Sequence, residues 1–145
     1  MEGVAVTFST VLPERKQLSP YVNVHDPEME GLQNADEVVI NFPMIRLEIS
    51  YPLSNAHVFE IHAPLGKQHF TRRDLVKAIS NLYKEIYEVE TRTSTIAPGF
   101  INPRMLNRNE TNGTYGIWGH YIEDLDLVGV EYNADRDVYI LNIDS

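Results

Sequence analysis

The chain has 145 residues, no cysteine and a formal net charge of −9 at pH 7. That length suits one domain with a real core and is short for two. The missing thiols exclude disulfides, thiolate metal sites, iron–sulfur clusters and cysteine nucleophiles, and fit a reducing compartment.

A hydrophobic fraction of 43% with 10% aromatics argues for a folded chain. No apolar stretch approaches the ~20 residues that a membrane span needs, so no membrane association is expected. No basic segment followed by an apolar run opens the chain, so an intracellular setting is expected. The charge is unevenly spread. Residues 64–108 carry eight basic and four acidic side chains, whereas 109–145 carry one and eight. An acidic chain is not an expected nucleic-acid binder, and its basic middle is the exception. That middle reads either as a partner for the acidic tail or as an anion-binding surface.

Near the N-terminus, Val4, Val6 and Phe8 alternate with Ala5, Thr7 and Ser9, the period of a first strand. From Pro13 to Pro43 no period persists, and acids cluster at Asp26, Glu28, Glu30, Asp36 and Glu37. Residues 13–37 read as an extended arm over the domain or a neighbouring subunit, or as an irregular loop. The short apolar run Val38-Val39-Ile40 precedes Asn41-Phe42-Pro43.

The clearest pattern lies in residues 45–90. Ile45, Leu47, Ile49 and Tyr51 alternate with Arg46, Glu48 and Ser50, and His57, Phe59, Ile61 and Ala63 alternate again. A hairpin turning at Pro52-Leu53-Ser54-Asn55 sets Leu47 against Phe59, Ile45 against Ile61, and Arg46 against Glu60 on the other face. Thr71-Arg72-Arg73-Asp74 is a capping-box pattern that opens a helix over 71–90. Its apolar stripe runs through Leu75, Ile79, Leu82 and Ile86, flanked by Val76, Tyr83 and Tyr87. The β-branched residues from Val89 to Thr95 predict an extended segment after it. Residues 96–114 read as a loop, with a tight turn at Asn112-Gly113. A single helical turn around Ile122 and Leu125 comes next. A second hairpin across Asn133-Ala134-Asp135-Arg136 sets Val130 against Tyr139 and Val128 against Leu141.

Gly116-Ile117-Trp118-Gly119-His120, the pair Asp124-Leu125 and the ending Leu141-Asn142-Ile143-Asp144-Ser145 carry a resemblance over the last quarter of the chain. This stretch resembles the C-terminal signature of uncharacterised proteins of large DNA viruses of amoebae, of the Marseillevirus kind, and of some eukaryotes. The resemblance implies a viral origin and a virion-associated protein, with the virion or host cytoplasm as its place. It implies no catalytic residues.

His57, His62 and His69 lie close in sequence near Glu60, but His57 and His62 point to opposite faces of a strand, which suits surface histidines better than a metal site. His120 with Asp124 at i+4 could form a base–carboxylate pair, or Glu123, Asp124 and Asp126 could be a solvated acidic face. No nucleophile elbow, phosphate loop or dinucleotide fingerprint is present, and no cofactor is expected. Trp118, between glycines and beside His120, is the candidate interface, with a core tryptophan as the alternative. Lys67, His69, Arg72 and Arg73 crowd the start of the helix, where the dipole disfavours cations. Either they ligate an anion there, or the arginines reach acids of the arm or of the C-terminal region, such as Glu123 or Asp126.

Residues 1–145 thus read as a single α+β domain: an antiparallel sheet of two β-hairpins with one long amphipathic helix packed on one face. The leading function is a non-enzymatic structural or protein-interaction protein, homodimeric. The alternatives are an anion- or nucleic-acid-binding module and a small hydrolase around His120.

Overall fold

The first hairpin folds in the register its side chains dictate. A computed structural model of the protein describes residues 5–12, 16–99 and 110–145. In chain order the described elements are β1 (Ala5–Thr7), β2 (Thr10–Leu12), β3 (Gln17–Ser19), β4 (Val22–Asn23), β5 (Val38–Ile40), β6 (Met44–Ile49), β7 (His57–His62), β8 (Phe70–Thr71), α1 (Arg72–Thr93), β9 (Asp126–Asn133) and β10 (Val138–Asp144). Short 3-10 turns occupy Met29–Gly31 and Ile122–Asp124. The chain is therefore α+β, mostly strand with one long helix. In the β6–β7 pair Ile45 lies opposite Ile61, Leu47 opposite Phe59 and Arg46 opposite Glu60. The apolar pairs pack as expected. The charge pair is in register, but Arg46 closes no ion pair among the described residues.

The sheet is mixed rather than purely antiparallel. Its order is β1-β9-β10-β6-β7, with β4 also on β9, and the two hairpins meet through a parallel β10–β6 pair that matches Tyr139 with Leu47. The reason lies in the edges. β1 and β4 occupy the outer side of β9, so β10 is the strand left to join β6. The second hairpin is also shifted by two residues. Tyr139 faces Tyr132 and Leu141 faces Val130, because the turn spans four residues, 134–137, instead of two. Asp137 takes a left-handed φ of 51° and Asn133 Oδ1 accepts from the Arg136 amide, which closes the wider turn. A bulge then lets Leu127, rather than Val128, join Val130 in the core.

The described part of the 13–37 segment, residues 16–37, is fastened to its own domain. β3 pairs with β2 and β4 with β9, and Val22, Val24 and Leu32 are buried in the same core as the helix. The lack of period hides this because the buried residues are spaced by turns, not by a strand or helix repeat. The N-terminal alternation is partly realised: Val6 and Phe8 are buried, and Val4 lies outside the described residues.

Thr71 caps α1 with the anticipated box. Its Oγ accepts from the Asp74 amide at 3.1 Å and Asp74 Oδ2 accepts from the Thr71 amide at 3.0 Å. The helix runs on to Thr93 instead of stopping at 90. The hydroxyls of Thr91 and Thr93 bond back to the carbonyls of Tyr87 and Val89, so the β-branched run is carried within the helix. The buried stripe is Leu75, Val76, Ile79, Ser80, Tyr83, Ile86, Tyr87 and Glu90, while Leu82 sits half-buried at its margin. Ile79→Ala should therefore cost ~2–5 kcal/mol. Leu82→Ala should cost less, and exposed Lys84→Ala no more than ~0.5 kcal/mol. Urea denaturation of the three variants checks this order, and a Leu82 loss equal to that of Ile79 would contradict the helix phase.

Candidate functional site

The last inward position of α1 is a carboxylate. Glu90 has no exposed surface. Its oxygens accept from the Thr111 hydroxyl at 2.6 Å and from the amides of Gly113 and Tyr115 at 2.8 Å and Gly116 at 3.1 Å. Burial pushes the carboxyl pKa up, but these four donors outweigh it and hold it below the ordinary glutamate value. The loop wraps the carboxylate closely enough to need glycine. Gly116 has φ +70°, and a Cβ there would strike the Ser54 hydroxyl. A Cβ on Gly113 would strike Thr93 and Glu90 itself.

From this anchor the loop is stitched to the turn after β6. The Ser54 amide donates to the Gly116 carbonyl at 2.8 Å, and the Trp118 amide to Pro52 at 2.9 Å. Ile117 is fully buried and bridges Leu53. Two helix phenols complete the stitching. Tyr83 donates to the Tyr51 carbonyl at 2.8 Å and Tyr87 to the His120 carbonyl at 2.9 Å. Burial raises both phenol pKa values, and the Asp124 and Glu123 carboxylates add to it at Tyr87, so both keep the proton they donate.

The loop and the turn it is stitched to expose aromatic rings. Trp118 is 42% exposed, Tyr121 51% and Tyr51 38%. The core alternative for Trp118 does not hold: Ile117 takes the inward place and the tryptophan turns out. The Tyr51 hydroxyl lies 2.7 Å from His120 Nε2 and 2.8 Å from Ser145 Oγ, with the Tyr51 and His120 rings 5.5 Å apart. His120 therefore pairs with a phenol. The carboxylates expected beside it are elsewhere: Asp124 Oδ2 accepts from the Tyr121 amide at 3.0 Å, and Glu123 lies 3.8 Å from His25 Nδ1. Asp126 has a raised pKa, first from burial and then from Asp144 and Asp124 nearby. Among the described residues no three metal-ligating side chains gather, and His57 instead packs edge-on to Tyr115 at 5.1 Å.

The basic start of α1 is occupied from within the chain. Arg72 pairs with Glu37 at 2.7 Å and donates to the carbonyls of Thr7 and Asn34. Arg73 meets Asp36 at 3.5 Å, and Lys67 meets Asp74 at 3.3 Å. The amides of Arg72 and Arg73 donate to the carbonyls of Glu37 and Ala35. The arm's acids, not Glu123 or Asp126, are the partners. His69 forms no hydrogen bond or ion pair among the described residues. Arg104 and Arg108 lie outside those residues.

Sequence reasoning passed over Glu90, Tyr51 and Tyr87 as site residues. A signal for Glu90 existed: it stands four after Ile86 and seven after Tyr83, an acid in phase with the apolar stripe. Glu90→Ala removes the acceptor from four donors and should cost about 3 kcal/mol in urea denaturation. With its folded pKa below the ordinary value of 4.5, Glu90 stabilises the fold above that pH, and the contribution is lost as pH falls through the folded pKa. A pH series should show wild type losing this increment below about pH 4.5 and Glu90→Gln losing less; parallel profiles would contradict it. No family model, curated protein or solved structure matches the chain.

Proposed function

We propose that the chain is a non-enzymatic interaction protein that grips a protein partner at the surface formed by Trp118, Tyr121, Tyr51 and His120. One observation carries this reading: the only tryptophan is 42% exposed while its amide is tied to Pro52. A large apolar ring held open by a rigid backbone binds without first having to be ordered, and Trp and Tyr dominate interface energetics. Supporting the non-enzymatic part, His120 meets a phenol rather than an activating carboxylate, and the cations at the start of α1 are committed to acids of the same chain. These same contacts weigh against the hydrolase and anion-binding alternatives. The viral and virion setting rests on the C-terminal resemblance alone.

A second reading, homodimerisation, is favoured by β7. It ends the sheet, and no described strand lies along its outer edge. An unpaired edge of six residues is a template for a second copy about a two-fold axis.

Two measurements separate these readings. Trp118→Ala should abolish capture of a partner that the wild type retains from its native lysate, with an unchanged melting temperature. Binding of that partner should also shift the emission of the single tryptophan. Equal capture by both proteins would overturn the aromatic surface. Light scattering should show a dimer at high micromolar concentration, and a mass of 16.6 kDa throughout would overturn the β7 pairing.

A further inference from the structure

The exposed aromatic surface is bordered by carboxylates that lack a cation. Asp124 Oδ2 accepts from the Tyr121 amide. Asp124 and Glu123 also lie close enough to the Tyr87 phenol, which holds the His120 carbonyl, to raise its pKa. At Tyr51, the hydroxyl meets Ser145 Oγ at 2.8 Å, and the Ser145 amide donates to Asp144 Oδ1. Asp144 in turn stands directly opposite Asp126 in the β9–β10 ladder. Asp124, Asp126 and Asp144 thus form an acidic rim beside Tyr51 and Tyr121.

Elsewhere the chain matches acids with its own cations: Glu37 with Arg72, Asp36 with Arg73, Glu48 with Arg136 and Asp74 with Lys67. Among the described residues, Asp124, Asp126 and Asp144 close no ion pair, and Glu123 has only His25 at 3.8 Å. Like charges set directly opposite on neighbouring strands repel. Burial, with Asp144 and Asp124 nearby, accordingly raises the Asp126 pKa. The fold carries this repulsion next to its exposed rings, and a cation brought by a partner removes it.

We infer that the partner segment gripped here is an arginine-bearing basic peptide, its guanidinium groups stacked on Trp118 and Tyr121 and paired with Asp124, Asp126 and Asp144. The inference rests on the reading of Trp118 as an interaction surface and adds the chemistry of the partner. A guanidinium suits both halves of the surface, because it stacks flat on an aromatic face and presents a planar fork to a carboxylate. A lysine ammonium would pair with the rim but has no flat face to stack. An acidic peptide or a nucleic acid would be repelled by the rim.

The probes are hexa-arginine, hexalysine and hexaglutamate peptides, titrated at low salt and followed by calorimetry and by the emission of the single tryptophan. Hexa-arginine should bind the wild type and shift that emission. Hexalysine should bind at least about tenfold more weakly, and hexaglutamate not at all. The double change Asp126→Asn and Asp144→Asn should weaken hexa-arginine at least about tenfold without lowering the melting temperature, since it relieves a repulsion. Glu131→Gln with Asp135→Asn removes the same charge toward the turn of that hairpin and should leave the affinity unchanged. By calorimetry, Trp118→Ala should also weaken hexa-arginine. The inference is overturned if hexa-arginine gives no heat at millimolar concentration, or if the two double variants weaken it equally, which would report net charge alone. Unaltered hexa-arginine binding by Trp118→Ala overturns it as well. These outcomes leave the Trp118 surface standing whenever Trp118→Ala still loses the native partner. Failure of the surface itself is a different result, equal capture of that partner by Trp118→Ala and wild type, and it overturns the inference too.

Discussion

A carboxylate taken out of water must be handed its hydrogen bonds by the chain, and Glu90 imposes that demand on the C-terminal third of the protein. Four donors drawn from residues 111–116 have to converge on one point at the end of α1. Once they do, the path of the following residues is narrow. Gly116 must adopt positive φ, its carbonyl must take the Ser54 amide, and Ile117 must enter the core beside Leu53. The outward direction of Trp118 follows from the inward direction of Ile117. The exposed aromatic surface is thus a consequence of a buried charge.

The same economy governs the other charges. Cations at a helix N-terminus are unfavourable alone. Here they hold down the segment that precedes β5: Arg72 and Arg73 take Glu37 and Asp36, while that segment's carbonyls take the first-turn amides of α1. The penalty is offset by tethering some twenty residues that carry Val22, Val24 and Leu32 into the core. Such exposed pairs contribute little singly, within about 1 kcal/mol each. Their role is to select one path for a chain stretch that has no periodic pattern to select it.

What the sequence disclosed divides along physical lines. Local periodicity and capping chemistry made the β6–β7 register and the start of α1 legible, because both are decided by residues close together in the chain. The parallel β10–β6 pair was not legible, since it depends on which edges β1 and β4 leave free. The two-residue shift of the second hairpin turned on the left-handed conformation of a non-glycine residue, Asp137. Of the site, Trp118 and His120 stood out by residue type. Tyr51, the partner of His120, lies 69 residues from it and meets it only through the stitching of the loop to the β6 turn. Glu90 was visible in phase but looked like one more acid on a helix.

Strand β10 is the seam of the sheet. On one side it carries the β9 ladder with β1 and β4 behind it, and on the other the β6–β7 hairpin, joined by the match of Tyr139 with Leu47. That match closes a loop of some ninety residues, whereas each hairpin closes over a short one. The two hairpins can therefore form early and separately, and the step that unites them loses more chain entropy than the closing of either. Until it occurs, β6 and β10 both present open edges rich in Ile and Leu. The vulnerable species of this protein is a molecule with two finished hairpins and an unclosed seam, in which an intermolecular β6–β10 pairing competes directly with the native one.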